Sequence, residues 1–213
     1  MITKEFISTR NILIAVDVQK DFIDGSLAVE GGREVVQPIN RVAEQVRKSL
    51  GQVAFTRDWH PTRTPHFDSW PVHCVAGTEG ADFDSTLEVV IGDVVLDKGT
   101  GQTDGYSGAE AIGPNGGSLE DLIDPANRQE RVRVFIGGLA TDYCVKATAI
   151  DLAAQFNEDK HVELFALREA MRAVNANGPN DEIEALFAMR DAGVKIITIE
   201  DALTMIDENR LER

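Results

Sequence analysis

Apolar positions along this 213-residue chain follow two rhythms, unbroken or alternating short runs and a three-to-four spacing. Asn11 to Val18 is a nearly continuous apolar run that suits a strand buried on both faces. After the breakers Gly31 and Gly32, Val35, Ile39, Val42, Val46 and Leu50 recur at helical spacing and predict a helix over Val35 to Leu50. Gln52 to Thr56 and Asp93 to Asp97 read as short strands. Arg131 to Gly137 reads as another, with Val132, Val134 and Ile136 alternating. Thr141 to Phe156 follows as a helix whose stripe is Val145, Ala149, Leu152 and Phe156. His161 to Leu167 predicts a fifth strand, Asp181 to Ala192 a helix ended by Gly193, and Val194 to Ile199 a sixth strand. Strands alternating with helices predict right-handed crossovers and an α/β layered sheet.

Two long segments break the alternation. Arg57 to Ser85 carries Pro61, Pro65, Pro71, both tryptophans and three of the four histidines, and Gly99 to Gly117 carries seven glycines. Loops of this length in a compact domain are usually functional or disordered. No repeat or linker divides the chain, so residues 1–213 are expected to form one domain, with a metal-binding loop at about 57–85 and a glycine-rich loop at about 99–117. Apolar content of 43% allows a substantial core. A formal charge of -15 speaks against non-specific nucleic-acid binding and against docking on an anionic membrane. The longest early apolar run, Ile12 to Val16, is far below a membrane span and too short for a signal-peptide core, with acidic Glu5 upstream. Two cysteines make no disulfide framework, and the expected location is the cytoplasm.

In open parallel sheets, ligands bind outside the carboxyl ends of the strands. Asp17, Asp58, Lys98 and the Gly138 to Cys144 stretch all lie at predicted strand ends, so four separate stretches converge on one edge. Cys144 stands near a helix start, where free amides and the dipole favour a thiolate. The turn before it can aim backbone amides at an oxyanion. The same position also suits an inert buried thiol. Asp17 can act as base to Cys144, and Lys98 can pair with both; each is alternatively a solvated strand-end charge. Cys74, in the histidine loop, reads as packing. Asp58 and His60 point to the same side of an extended segment and can share one ion, with His66 and His73 returning to complete the set. One carboxylate with three imidazoles suits Zn²⁺, Fe²⁺ or Mn²⁺. The glycine-rich loop matches neither G-x-G-x-x-G nor the phosphate-loop pattern, which rules out that reading. Phe22, Trp70 and Tyr106 could wall a flat ring or simply fill the core.

At this point the chain resembles the nicotinamidase/pyrazinamidase branch of the isochorismatase-like hydrolases. The resemblance rests on Asp17-Val18-Gln19-Lys20-Asp21-Phe22, Thr56-Arg57-Asp58-Trp59-His60 and Trp70-Pro71-Val72-His73-Cys74-Val75. To these are added Gly77-Thr78-Glu79-Gly80-Ala81, Lys98-Gly99, Tyr106-Ser107-Gly108 and Gly138-Leu139-Ala140-Thr141-Asp142-Tyr143-Cys144-Val145. The resemblance implies a three-layer α/β/α fold with a six-stranded parallel sheet. It implies a catalytic triad of Asp17, Lys98 and Cys144, and one divalent metal, Zn²⁺ before Fe²⁺ or Mn²⁺, held by Asp58, His60, His66 and His73. It further implies a cis peptide between Leu139 and Ala140, an oxyanion hole from the Ala140 and Cys144 amides, and a ring pocket of Phe22, Trp70, Tyr106, Tyr143 and Leu139. The stretch from Lys98 to Tyr106 looks about one residue longer than in some relatives, and Asn175 stands where some have Asp.

The implied reaction is hydrolysis of nicotinamide, and of pyrazinamide, to the acid and ammonia through a Cys144 thioester, within NAD salvage. The expected partner is the small-molecule substrate, with no nucleic acid or membrane, and a homo-oligomer is compatible. Rival expectations are another hydrolase of the superfamily, acting on a carbamoyl or ureido substrate or on isochorismate, and a catalytically silent binding member of the fold.

Overall fold

The computed structural model describes residues 8–126 and 129–211; Glu5 lies outside them. Six strands form one sheet: β1 (Ser8–Val16), β2 (Gln52–Asp58), β3 (Val94–Lys98), β4 (Glu130–Leu139), β5 (Val162–Arg172) and β6 (Lys195–Ile197). Every pairing is parallel, in the order β3-β2-β1-β4-β5-β6. Six helices accompany them: α1 (Lys20–Ile23), α2 (Val36–Lys48), α3 (Leu119–Ile123), α4 (Lys146–Phe156), α5 (Asp181–Asp191) and α6 (Ile199–Leu211).

The apolar run of β1 is sorted by its period of two. Leu13 and Ala15 face a cluster with Phe55, Phe135 and Phe165 under Val36, Ile39, Val42 and Val46 of α2 and Ala202 and Ile206 of α6. Ile12, Ile14 and Val16 face the opposite cluster, with Leu119 and Ile123 of α3, Ala149 and Leu152 of α4 and Met189 of α5. This is the expected three-layer α/β/α arrangement. After β3 the chain returns to the far side of β1 to lay down β4, so the order of strands reverses between these two. A crevice opens at such a reversal, outside the carboxyl ends.

Several boundaries differ from the sequence reading. Leu50, expected in the α2 stripe, is 81% exposed, because Ser49 ends the helix and Leu50 takes a positive φ of 58°. β1 ends at Val16, two residues before the expected end, and Asp17 follows it with a φ of 50°. β5 runs on to Arg172 across the charged pair Arg168 and Glu169, which find partners in the Glu182 carboxylate and the Ile199 amide. The expected sixth strand is short because α6 begins at Ile199. Thr198 and Asp201 cap α6 reciprocally, each side chain accepting from the other's amide.

Candidate active site

Four strand ends deliver the chemistry. β2 and β3 finish on Asp58 and Lys98, whose backbones are paired in register. Asp17 follows β1. Cys144 lies in a single π-helical turn, Thr141–Val145, between β4 and α4. The Ala140 carbonyl accepts from the Tyr143 and Val145 amides, on either side of Cys144. The Leu139–Ala140 peptide is cis.

Lys98 is the hub. Its buried Nζ lies 2.8 Å from Asp17 Oδ2, 2.5 Å from Asp58 Oδ1 and 3.4 Å from Cys144 Sγ, and donates to the Gly105 carbonyl at 3.1 Å. Asp17, Asp58 and Cys144 offer a carboxylate oxygen, another carboxylate oxygen and a sulfur all within 4.8 Å of one another. Burial works against the Lys98 charge, but Asp17, Asp58 and Cys144 hold its pKa well above the usual lysine value. The two carboxylates then part company. Burial pushes the Asp17 carboxyl up to about 6 despite Lys98 and a hydrogen bond from Thr56 Oγ1. Burial acts on Asp58 too, but Lys98 and His60 together hold it well below the usual carboxylate range. Burial also drives the Cys144 thiol well up, Lys98 opposes this, and Asp17 and Asp58 add to it. Burial thus works against the thiolate that the helix-start position favours, and Lys98 works for it, with Asp17 placed beside the sulfur as a base.

The metal candidates converge next to this hub. His60, His66 and His73 are buried and can offer ring nitrogens within 4.8 Å of one another. Asp58 Oδ2, the oxygen that Lys98 leaves free, lies 3.5 Å from His60 Nε2 and 3.9 Å from His73 Nε2. Each Nδ1 has an acceptor: Gly99 O for His60, Asp104 Oδ1 for His66 and Pro71 O for His73. The carbonyls require the proton on Nδ1 of His60 and His73, which frees Nε2 as a ligand. Burial lowers the His73 pKa, which favours the neutral, ligating imidazole. His60 Nε2 is buried with no hydrogen-bond partner. An orphaned acceptor at the centre of three imidazoles and a carboxylate is what a divalent ion would satisfy, so the residues fit the group.

Around the opening, Trp70 donates to the Tyr106 hydroxyl at 2.8 Å, and Tyr143 meets both rings at centroid distances of 4.9 and 5.7 Å. Phe22 packs on His73 at 5.3 Å. Leu139 stands apart: its side chain is fully buried in the α2 and α6 cluster. Cys74 is buried, and burial drives its thiol far up, in keeping with packing. Three polar residues were not singled out from the sequence. Buried Gln19 donates to the Asp58 and Ala81 carbonyls and accepts from the Asp58 amide, fixing the end of β2. Asp21 accepts from the Cys74 amide beside His73. Asp142 accepts from the Val174 and Asn175 amides, tying the cysteine turn to the end of β5. Gln19, Asp21 and Asp142 all lie within the quoted motifs, a signal that was present but carried no chemistry of its own.

A family model described as the isochorismatase domain matches residues 11–201. The chain belongs to the isochorismatase family. Among isochorismatase-like relatives, the nicotinamidase/pyrazinamidase of Mycobacterium tuberculosis is 35% identical over 194 residues, covering 87% of this chain and 97% of that protein. The pyrazinamidase of Pyrococcus horikoshii, solved in complex with zinc, superposes with a TM-score of 0.74 at 32% identity, over 89% of this chain and 99% of its own. PnC1 from L. infantum, solved in complex with nicotinate, gives 0.73 at 31% identity, over 92% and 96%. The family resemblance read from the motifs is thus borne out, and so is the fold. No helix among the described residues is long and apolar enough to cross a membrane.

Proposed function

We propose that this chain is a nicotinamidase: it hydrolyses nicotinamide, and pyrazinamide, to the corresponding acid and ammonia, as a step of NAD salvage in the cytoplasm. One observation carries the reading. A single buried ammonium touches two carboxylates and the cysteine sulfur, beside an orphaned histidine nitrogen. Relatives bearing the names nicotinamidase and pyrazinamidase over most of the chain support it.

Asp17, ionised at neutral pH, takes the proton from Cys144 Sγ as the sulfur attacks the carboxamide carbon. The Ala140 and Cys144 amides receive the oxyanion. Asp17 returns its proton to the departing amine, ammonia leaves, and a thioester remains. Asp17 next takes a proton from water, which attacks the thioester carbon; the acid departs and the proton returns to sulfur. Lys98 stays charged throughout, stabilising the thiolate and keeping Asp17 from holding its proton too firmly. Asp58, His60, His66 and His73 would hold one divalent ion, Zn²⁺ ahead of Fe²⁺ or Mn²⁺, which when bound supplies Lewis acidity toward a ring nitrogen or water. Phe22, Trp70, Tyr106 and Tyr143 wall the flat ring, whereas Leu139 is buried in the core cluster apart from them. The unit is one domain over 1–213, acting on a small molecule without nucleic acid or membrane, and compatible with a homo-oligomer.

The test is ammonia release from nicotinamide, pyrazinamide and a ureido substrate, run in parallel on wild type and Cys144→Ala. Wild type should favour the ring amides, and the variant should lose turnover. Preference for the ureido substrate would move the chain to another branch of the family; silence on all three would make it a binding member.

A further inference from the structure

The three histidines differ in what holds their outer nitrogens. His60 and His73 donate to backbone carbonyls of Gly99 and Pro71, whereas His66 Nδ1 meets a carboxylate, Asp104 Oδ1, at 2.8 Å. His66 itself is 4% exposed, while the Asp104 side chain is 57% exposed. Asp104 belongs to the glycine-rich loop, in the stretch from Lys98 to Tyr106 that looks a residue longer than in some relatives. That loop also reaches the histidine loop elsewhere: Gln102 donates to the Arg63 carbonyl at 3.3 Å, and Tyr106 accepts from Trp70. His66 rides on a single 3₁₀ turn, Pro65–Asp68, so its own element fixes it weakly.

We infer that Asp104 is a positioning residue for the metal centre, holding His66 in its Nδ1–H tautomer so that Nε2 faces the ion. The carboxylate fixes the orientation of the ring, the usual part of an outer partner to a ligating histidine. The glycine-rich loop is then the outer wall of the metal site as well as the carrier of Tyr106. Asp104 touches neither substrate nor ion, and acts through His66.

This inference rests on the proposed metal reading, and two measurements separate their fates. The first is Zn²⁺ affinity by competition with a chromogenic chelator, on wild type, Asp104→Ala, Asp104→Asn, the exposed control Asp68→Asn and His60→Ala. Asp104→Ala should bind about 10- to 100-fold more weakly, Asp104→Asn less weakly, Asp68→Asn as wild type, and His60→Ala hardly at all. Wild-type affinity in Asp104→Ala overturns the inference and leaves the metal reading standing. The second measurement is the imidazole ¹⁵N spectrum of the metal-free protein, which needs no ion. His66 should show the Nδ1–H tautomer in wild type and a mixture in Asp104→Ala. An unchanged His66 tautomer overturns the inference even where wild type binds no Zn²⁺, an outcome that by itself would sink the metal reading.

Discussion

Asp17 and Asp58 share one ammonium yet are pushed in opposite directions, and the division of labour follows. Asp58, held low, suits the proposed ligation. Asp17, at about 6, lies close enough to neutrality to take and return a proton within one turnover. Because the base form is needed, kcat/KM should fall as pH drops through about 6, and Asp17→Asn should lose activity across the range. A profile flat down to pH ~4, the ordinary carboxylate range, would take the base role away from Asp17. Lys98 is under a different constraint. Lys98→Met leaves two buried carboxylates facing each other without a counter-charge, and should cost about 3–5 kcal/mol of stability as well as activity. Urea unfolding of the variant measures this, and an unchanged midpoint would show the carboxylates not to depend on that ammonium.

At the scale of elements, the site depends on how closely β1 and β4 approach. Gly138 has φ 127°, and a Cβ there would stand 2.0 Å from the Val16 carbonyl oxygen. Gly138→Ala should therefore cost at least about 1–3 kcal/mol and displace the turn that carries Cys144, read as a lower thermal midpoint with disproportionate loss of turnover. Strands and long helices of this kind were legible in the chain, because unbroken apolar runs such as Ile12 to Val16 have few ways to be buried. The strand-end placement of Asp17, Asp58, Lys98 and Cys144 was legible for the same reason. What stayed hidden depended on partners remote in sequence. The far half of β5 carries Arg168 and Glu169, beyond the expected strand end at Leu167, and they are answered only by Glu182 and the Ile199 amide. The α6 cap at Thr198 and Asp201 was visible but was absorbed into a strand running to Ile199. Leu50 matched the helical rhythm, and only the helix end at Ser49 shows why it is outside. Asp104 offered no pattern, since its meaning lies in a histidine 38 positions away.

For the whole molecule, the proposed metal would couple site and fold. Asp58 closes β2 and the three buried histidines follow in one long loop, and an ion binding this folded arrangement more tightly than the open chain must stabilise it. Adding Zn²⁺ to metal-stripped protein should raise the thermal midpoint, by the equivalent of about 4 kcal/mol at a thousandfold excess over Kd, and chelator should reverse it. Indifference of the midpoint to the ion would count against the quartet.

The reversal of strand order between β1 and β4 bears also on how reactivity is acquired. Asp17, Asp58 and Lys98 all emerge from the first half of the polypeptide, whereas the sulfur rides in only when a later strand docks in the centre of the sheet. On the proposed roles, a nascent or half-refolded chain carries base, cation and metal ligands before the Cys144 sulfur joins them. Turnover should return during refolding no earlier than the burial of β4, so the connectivity itself sets when the site is completed.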